Sequence, residues 1–487
     1  MQTLIPQPVT ALAHPTGRFG RVLGFGLTRR ALILLLTGLL FAIPEFFHPH
    51  RLWLMLAWDC LVAAIIAIDL LGLPSPGKIT VTRRFLHSPT LGEETEIEFE
   101  LTQDSHSILT LHLTDDLHPS LSAIPRPVTL TAFPRDPARV SLHIRPRERG
   151  DIALGKVFLR YAGALRLVER WAATDLEQRI RIFPAMEQGG SGTELYLMRA
   201  RQIELQKRRL RLRGIGREFE SLRDYQRGDE LRNISWTATA RRNKLITRQF
   251  TTERSQQVWV VLDAGRLSRT AFTLASGLTN SKSHPSQPDE LDGRDDLDLT
   301  VTQLDQAATA AVMLAQVIAS SGDKFALLTY GRKIQQQLPP GNGPAHLRIM
   351  IDLLSQTRSE RSEANHLNAV SRLKNLQRRR GLILWVTEMA DSVGRPEVVT
   401  AAAELVRRHL VVLVLLEHPE LEALATRDPK NVEEMFASTA AQEIIERRRE
   451  AVAKLRQQGV LVVETTPGQV GAAAISKYLE VKAQGVL

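Results

Sequence analysis

The sequence predicts a multidomain chain with an N-terminal transmembrane helical hairpin, a β-sandwich-like segment and a C-terminal α/β doubly wound domain. Three observations predict it. Two long apolar runs, 31–47 and 52–73, lie close together near the amino terminus. Short alternating segments fill 78–185, and beyond 255 apolar strands alternate with helical patterns. At 487 residues, 43% hydrophobic and 24% charged, the composition excludes a wholly disordered, collagen-like or coiled-coil chain. The single cysteine, Cys60, rules out an internal disulfide framework, and no Cys/His spacing for zinc occurs.

The runs ALILLLTGLLFAIPEFF (31–47) and LWLMLAWDCLVAAIIAIDLLGL (52–73) each approach the ~17–25 residues of a bilayer-spanning helix. No small-x-small cleavage site follows the first, and a second run does, so the pair reads as a hairpin rather than a signal peptide. Arg18, Arg21, Arg29 and Arg30 precede it and Lys78, Arg83 and Arg84 follow, with only Arg51 in the turn. The positive-inside rule therefore places a tail, 1–30, and everything after the hairpin in the cytoplasm. Asp59 and Asp69 fall on different helix faces, and Asp69 lies near the inner end where water reaches, so no proton path is read.

From 78 to 185, runs such as Thr95–Thr102 and Lys156–Tyr161, punctuated by turn residues, have the rhythm of an antiparallel sandwich. A Gly-rich joint, Gly189–Gly192, leads into 193–254, a basic helix followed by an Arg-rich stretch. From 255 to 487 the strand candidates are Val258–Asp263, Phe325–Tyr330, Leu382–Thr387, Leu410–Leu416 and Val460–Val463, separated by helical patterns such as Val301–Ser320 and Pro396–His409. Right-handed crossovers then give a parallel sheet with its binding edge at the strand carboxyl ends. RKIQQQL after Tyr330 adds an antiparallel edge strand. Residues 276–298, rich in Ser, Pro, Asp and Gly, are expected to be a disordered insertion on the ligand face.

No GxxxxGK[ST], HExxH, GxSxG or EF-hand spacing is present, and the thirteen histidines are scattered. A non-enzymatic protein is expected. The densest information lies in 217–253, where the forks of Arg223, Arg232, Arg241 and Arg248 can engage Glu220, Asp224 and Asp229 and order a loop with little apolar content.

Within that stretch Glu218, Phe219, Leu222, Arg223, Tyr225, Gly228, Asp229, Arg232, Trp236, Ala240, Arg241 and Arg248 occur in the order of a known signature. The chain resembles the bacterial domain-of-unknown-function fifty-eight family, often encoded beside MoxR-type AAA+ ATPases. Arg149–Gly155, Leu165–Val168 and the paired apolar runs resemble it too. The resemblance implies a von Willebrand factor A-like domain over 255–487, anchorage in the bacterial inner membrane with soluble domains in the cytoplasm, and a MoxR-type ATPase docking on the signature residues. It also implies a divalent-metal site, Asp-x-Ser-x-Ser, at the end of the first strand. Here Asp263-Ala264-Gly265-Arg266-Leu267 keeps only the Asp. Thr387 and Asp391 remain as oxygen donors for magnesium, and with both hydroxyl ligands lost no cofactor is expected.

An alternative function is anionic-lipid or nucleic-acid binding through 199–213. Its basic residues (Arg199, Arg201, Lys207, Arg208, Arg209, Arg211, Arg213) spread around a helix and lack aromatics for base stacking, so nucleic acid is not expected. The net charge is +10, yet 196–254 holds sixteen Lys+Arg against seven Asp+Glu. The positive charge is therefore local, and a partner would meet it on one segment.

Overall fold

A computed structural model describes residues 5–16, 25–42, 53–105, 107–121, 127–163, 165–185, 198, 202, 218–226, 229, 231–251, 256–274, 299–389, 397–417 and 419–484. The expected basic helix (apart from Met198 and Gln202), the 276–298 insertion, Gly228 and Asp391 lie outside the described residues. The chain forms two compact units, Met1–Phe183 and Pro184–Leu487.

The first unit contains β1 (Val9–Pro15), β2 (Gly26–Leu27), α1 (Arg29–Thr37), α2 (Trp53–Gly72), β3 (Ile79–Phe85), β4 (Thr95–Gln103), β5 (Leu109–Asp115), β6 (Val128–Ala132), β7 (Ala138–Ile144), β8 (Gly150–Leu154), β9 (Val157–Ala162), β10 (Val168–Thr174) and β11 (Gln178–Ile182). The main sheet runs β6-β5-β9-β10-β1-β3-β4-β7, with β2 on β10 and a separate β8–β11 pair. The alternation expected of half-buried strands is present: Ile79, Val81 and Phe85 of β3 and Ile97, Phe99 and Leu101 of β4 point inward.

Two expectations need correction here. The N-terminal tail is not outside the fold, because β1 bridges the two halves of the sheet. Its Val9–Leu12 pair with β3 and its Ala13–Pro15 pair with β10. The sandwich expected over 78–185 is a continuous, barrel-like sheet instead, whose end strands β6 and β7 approach each other. A buried ion pair ties the halves: Arg83 of β3 reaches Asp115 of β5 and donates to the carbonyls of Leu176 (2.9 Å) and Gly155 (3.2 Å).

Among the described residues one helix segment, Met55–Gly72, is long and apolar enough to cross a membrane. Of the first expected span, 31–47, the residues up to Ala42 lie in a nine-residue α-helix, α1, and a 3-10 turn at Gly38–Ala42, and 43–47 lie outside the described residues. The Trp58 indole donates to the carbonyl of Leu34, holding α1 and α2 together. Both helices are fastened to the segment Leu165–Val168. Thr28, the N-cap of α1, donates from its hydroxyl to the Arg166 carbonyl (2.7 Å) and from its N–H to that of Leu167 (3.0 Å). From α2, buried Asp69 accepts the N–H groups of Leu165, Leu167 and Val168. This explains a carboxylate in an apolar run without invoking an ion path.

The second unit contains β12 (Glu218–Asp224), α3 (Trp236–Arg242), β13 (Ile246–Thr251), β14 (Gln257–Asp263), β15 (Ala271–Leu274), β16 (Leu299–Thr302), α4 (Gln303–Ser320), β17 (Lys324–Tyr330), β18 (Ile334–Gly341), α5 (Pro344–Gln356), α6 (His366–Leu376), β19 (Leu382–Thr387), α7 (Glu397–Val406), β20 (Leu410–Leu416), α8 (Pro419–Thr426), α9 (Val432–Gln457), β21 (Leu461–Thr465) and α10 (Val470–Gln484). Its sheet order is β18-β17-β14-β19-β20-β21, parallel except for β18. This is a doubly wound α/β sheet, with the antiparallel edge strand where RKIQQQL predicts it. β19 is buried at every residue and β20 at all but its first, as covering both faces requires. At the amino edge of the sheet, buried Lys482 of α10 donates to Asp323 (2.7 Å) and the Ser321 carbonyl (2.7 Å).

Candidate functional site

Parallel strands end together, so Asp263 of β14, Tyr330 of β17 and Thr387 of β19 meet at the carboxyl edge of the sheet. Asp263 accepts the Thr387 hydroxyl at 2.7 Å on one oxygen and the Gly265 N–H at 2.8 Å on the other. Burial raises its pKa, against the opposing pull of His366, the Thr387 hydroxyl and the Gly265 N–H. Next to it runs a chain of hydrogen bonds. The Trp385 indole donates to the Tyr330 oxygen (2.8 Å), and that phenol lies 2.9 Å from His366 Nδ1. An indole N–H can only donate, so the phenol proton is free to point at Nδ1 of a neutral imidazole. Burial lowers the His366 pKa and favours that neutral form, while Asp263 opposes the shift. Burial and the nearby Asp263 both raise the Tyr330 pKa.

The loop before α6 covers this edge. Glu360 donates its N–H to the Ala264 carbonyl (2.7 Å), and Arg266 donates its own to that of Ser362 (2.8 Å). A Cβ at Gly265 would lie 2.8 Å from the backbone nitrogen of Ala364. Glycine is thus required where a metal-binding motif would place its first serine. Among the described residues no group of three or more His, Cys, Asp or Glu could hold a metal. With both Asp263 oxygens engaged and Gly265 and Leu267 offering no hydroxyl, the described residues do not fit a magnesium ion, which demands near-octahedral oxygen ligation. Arg266 pairs with Glu363 at 3.6 Å.

The signature residues form a separate module. Glu218, Phe219, Leu222 and Arg223 lie in β12, antiparallel to β13, where Arg248 sits opposite Leu222. Arg223 donates to Asp229 at 2.6 Å, and Asp229 accepts the Gln226 N–H at 3.0 Å. The Gln226 N–H and the Arg223 guanidinium hold this carboxyl below the usual range, despite some desolvation. The pair closes the turn, and the Tyr225 N–H bonds back to the Leu245 carbonyl. Arg232 lies in a 3-10 turn, Leu231–Asn233, and Trp236, Ala240 and Arg241 lie in α3. Asn243 ends α3 in the left-handed region, turning the chain into β13. Trp236 is 67% exposed, Leu231 71% and Leu245 46%.

The structure therefore divides the sequence candidates into two groups, the hairpin residues and the edge residues Asp263 and Thr387. Sequence reasoning missed Tyr330, Trp385 and His366. The one signal for the first two is their place in strands of the same sheet, either side of β14, with Tyr330 as the last residue of its strand.

Fold and site together define a doubly wound α/β domain with a closed polar edge and an Arg-rich hairpin before it. The sequence model of the family described as Protein of unknown function DUF58 matches residues 221–276 and 298–458, just under half of the chain, and the resemblance to that family is plain over this region. The chain is also similar to the conserved hypothetical protein BatB from Bacteroides thetaiotaomicron, at 12% identity and TM-score 0.28, over 47% of this chain and 100% of that one. Similarity to the SpRpn10 VWA domain is 7% identity and TM-score 0.25, covering 45% and 93%. The ASH/PapD-like domain of human CEP192 gives 17% and 0.17, covering 22% and 87%. No curated protein matches the chain. The strand order, rather than these likenesses, defines the fold.

Proposed function

We propose that the chain is a membrane-anchored, non-enzymatic adaptor that docks a partner protein, a MoxR-type AAA+ ATPase, on the signature hairpin and the carboxyl edge of the α/β sheet. The observation that carries this reading is the exposure of Trp236, Leu231 and Leu245 beside Arg241 and Arg242, on a hairpin ordered by its own Arg223–Asp229 pair. Exposed tryptophan and arginine on a rigid support are the chemistry of interface hot spots. A solvated charged face would not need three large apolar side chains in the open.

Anchoring is supported by α2, whose Met55–Gly72 stretch is long and apolar enough to cross a membrane while little of it is buried. The core helix of a soluble protein would be covered. α1 likewise exposes Leu32, Ile33 and Leu36. Tethering raises the effective concentration of the adaptor for partners on the same surface. The test is co-purification from native membranes. The wild-type chain is expected to carry an AAA+ ATPase that Trp236→Ala plus Arg241→Ala loses while remaining folded; equal recovery would contradict the reading.

A further inference from the structure

An open cleft in the first unit is lined by Arg29 and Arg30 from the first turn of α1 and by Thr110, His112, Arg160 and Arg166 from the β-sheet unit. One acidic residue, Glu169, faces it, and Arg160 takes that carboxylate at 2.8 and 2.6 Å. Arg166 donates to the Thr110 hydroxyl at 3.3 Å and has no carboxylate among the described residues. Arg29 and Arg30 likewise have no acidic partner there. Arg29, Arg30 and Arg166 thus line a cleft whose one carboxylate, Glu169, is taken by Arg160. The guanidinium fork suits phosphate and carboxylate oxygens, so an unpaired set lining one cleft matches an anion with several acceptor oxygens.

The position of the cleft selects the anion. Arg29 and Arg30 directly precede the apolar face of α1, and the Thr28 cap that starts the helix bonds to the carbonyls of Arg166 and Leu167. The last turns of α2 reach the same segment through Asp69. Both apolar helices therefore leave the sheet unit beside the cleft. Leu27, Leu165 and Leu71, each next to or near these anchor points in the chain, are exposed. Arg166 is held at φ 53, an unusual conformation for a non-glycine residue, where its carbonyl meets Thr28.

We infer that this cleft binds the phosphate of an anionic phospholipid headgroup at the cytoplasmic face of the bilayer. The inference rests on the anchoring proposed above. In this arrangement the non-bridging phosphate oxygens take Arg29, Arg30 and Arg166, Thr110 and His112 supply further polar contacts, and the acyl chains lie along the exposed leucines of α1. Its arginines are not those of the basic segment 199–213.

The test counts lipids retained by the full chain in detergent, by native mass spectrometry, with phosphatidylglycerol or phosphatidylcholine added. The wild type is expected to retain phosphatidylglycerol preferentially, and Arg29→Gln plus Arg30→Gln about thirtyfold less, the scale of losing two surface arginines that face anionic lipid. Arg166→Gln, which leaves the exposed start of α1 untouched, is expected to act in the same direction. Inorganic phosphate should not compete. Equal retention by folded variants, or displacement by free phosphate at the same concentration, overturns the headgroup site. In parallel, alkaline carbonate should leave the wild-type chain in membranes; its release would overturn the anchoring and the headgroup site together, whereas retention with equal lipid counts would overturn the headgroup site alone.

Discussion

The Thr387 hydroxyl donates to Asp263 at 2.7 Å, across the carboxyl ends of two adjacent parallel strands. With the Gly265 N–H on the other oxygen, the carboxylate is satisfied by protein groups at the position where the sequence resemblance implies a metal ligand. Thr387→Val should therefore lower stability by about 1–2 kcal/mol, the cost of leaving a buried acceptor unpaired. Millimolar magnesium should leave the thermal midpoint of the wild type unchanged. A magnesium-dependent rise in midpoint would show that the edge rearranges to hold a cation.

The strand pattern of the second unit was legible because fully buried strands such as LILWVT and LVVLVLL are apolar at nearly every position. The antiparallel β18 could be read from RKIQQQL after Tyr330. β1 was not legible: VTALAHP has few strong strand formers and gains its place by pairing with strands some 70 and 160 residues onward, which local propensity does not register. The network of Tyr330, His366 and Trp385 was hidden for a similar reason, since its members lie on two non-neighbouring strands and the start of α6 and meet only in the folded unit. In the signature, Arg223 and Asp229 are six residues apart and their pairing was within reach of the sequence; the exposure of Trp236 was not.

Asp115 is buried against Arg83, and burial raises its pKa from 3.8 to about 6. A carboxyl whose folded pKa exceeds its unfolded value contributes stability that is full below the unfolded value and is lost as pH rises through the folded one. Relative to Asp115→Asn, the wild type should therefore lose about 3 kcal/mol between pH 3.8 and about 6. Thermal unfolding of both chains across that range tests it. A difference that does not vary with pH would place the Asp115 pKa near its ordinary value.

Lys482 is 3% exposed, and its charge is balanced by Asp323, which also accepts the Tyr478 hydroxyl (2.7 Å) and the Gln256 N–H (3.1 Å). Lys482→Met leaves Asp323 buried without its cation and should cost about 3–5 kcal/mol. Adding Asp323→Asn should recover part of that loss. Denaturant titration of the two variants distinguishes a charge effect, which recovers, from a packing effect, which does not.

Cys60 is the only cysteine and lies exposed on α2. In native membranes it should react with a membrane-permeant maleimide and resist a charged one. Asp69→Ala, which orphans three N–H groups of Leu165–Val168, should lower stability by about 1–3 kcal/mol without changing that labelling pattern. Rapid labelling of the wild type by the charged reagent would mean that α2 is not in the bilayer.

The proposed function rests on the signature hairpin as a docking surface. The most direct measurement is the affinity of the detergent-purified full chain for a purified MoxR-type ATPase, comparing wild type with Trp236→Ala and with Arg372→Ala, a change on α6 outside the hairpin. Trp236→Ala is expected to weaken binding by about tenfold or more, while Arg372→Ala leaves it unchanged. Equal affinity for all three chains, or no binding by the wild type, would contradict it.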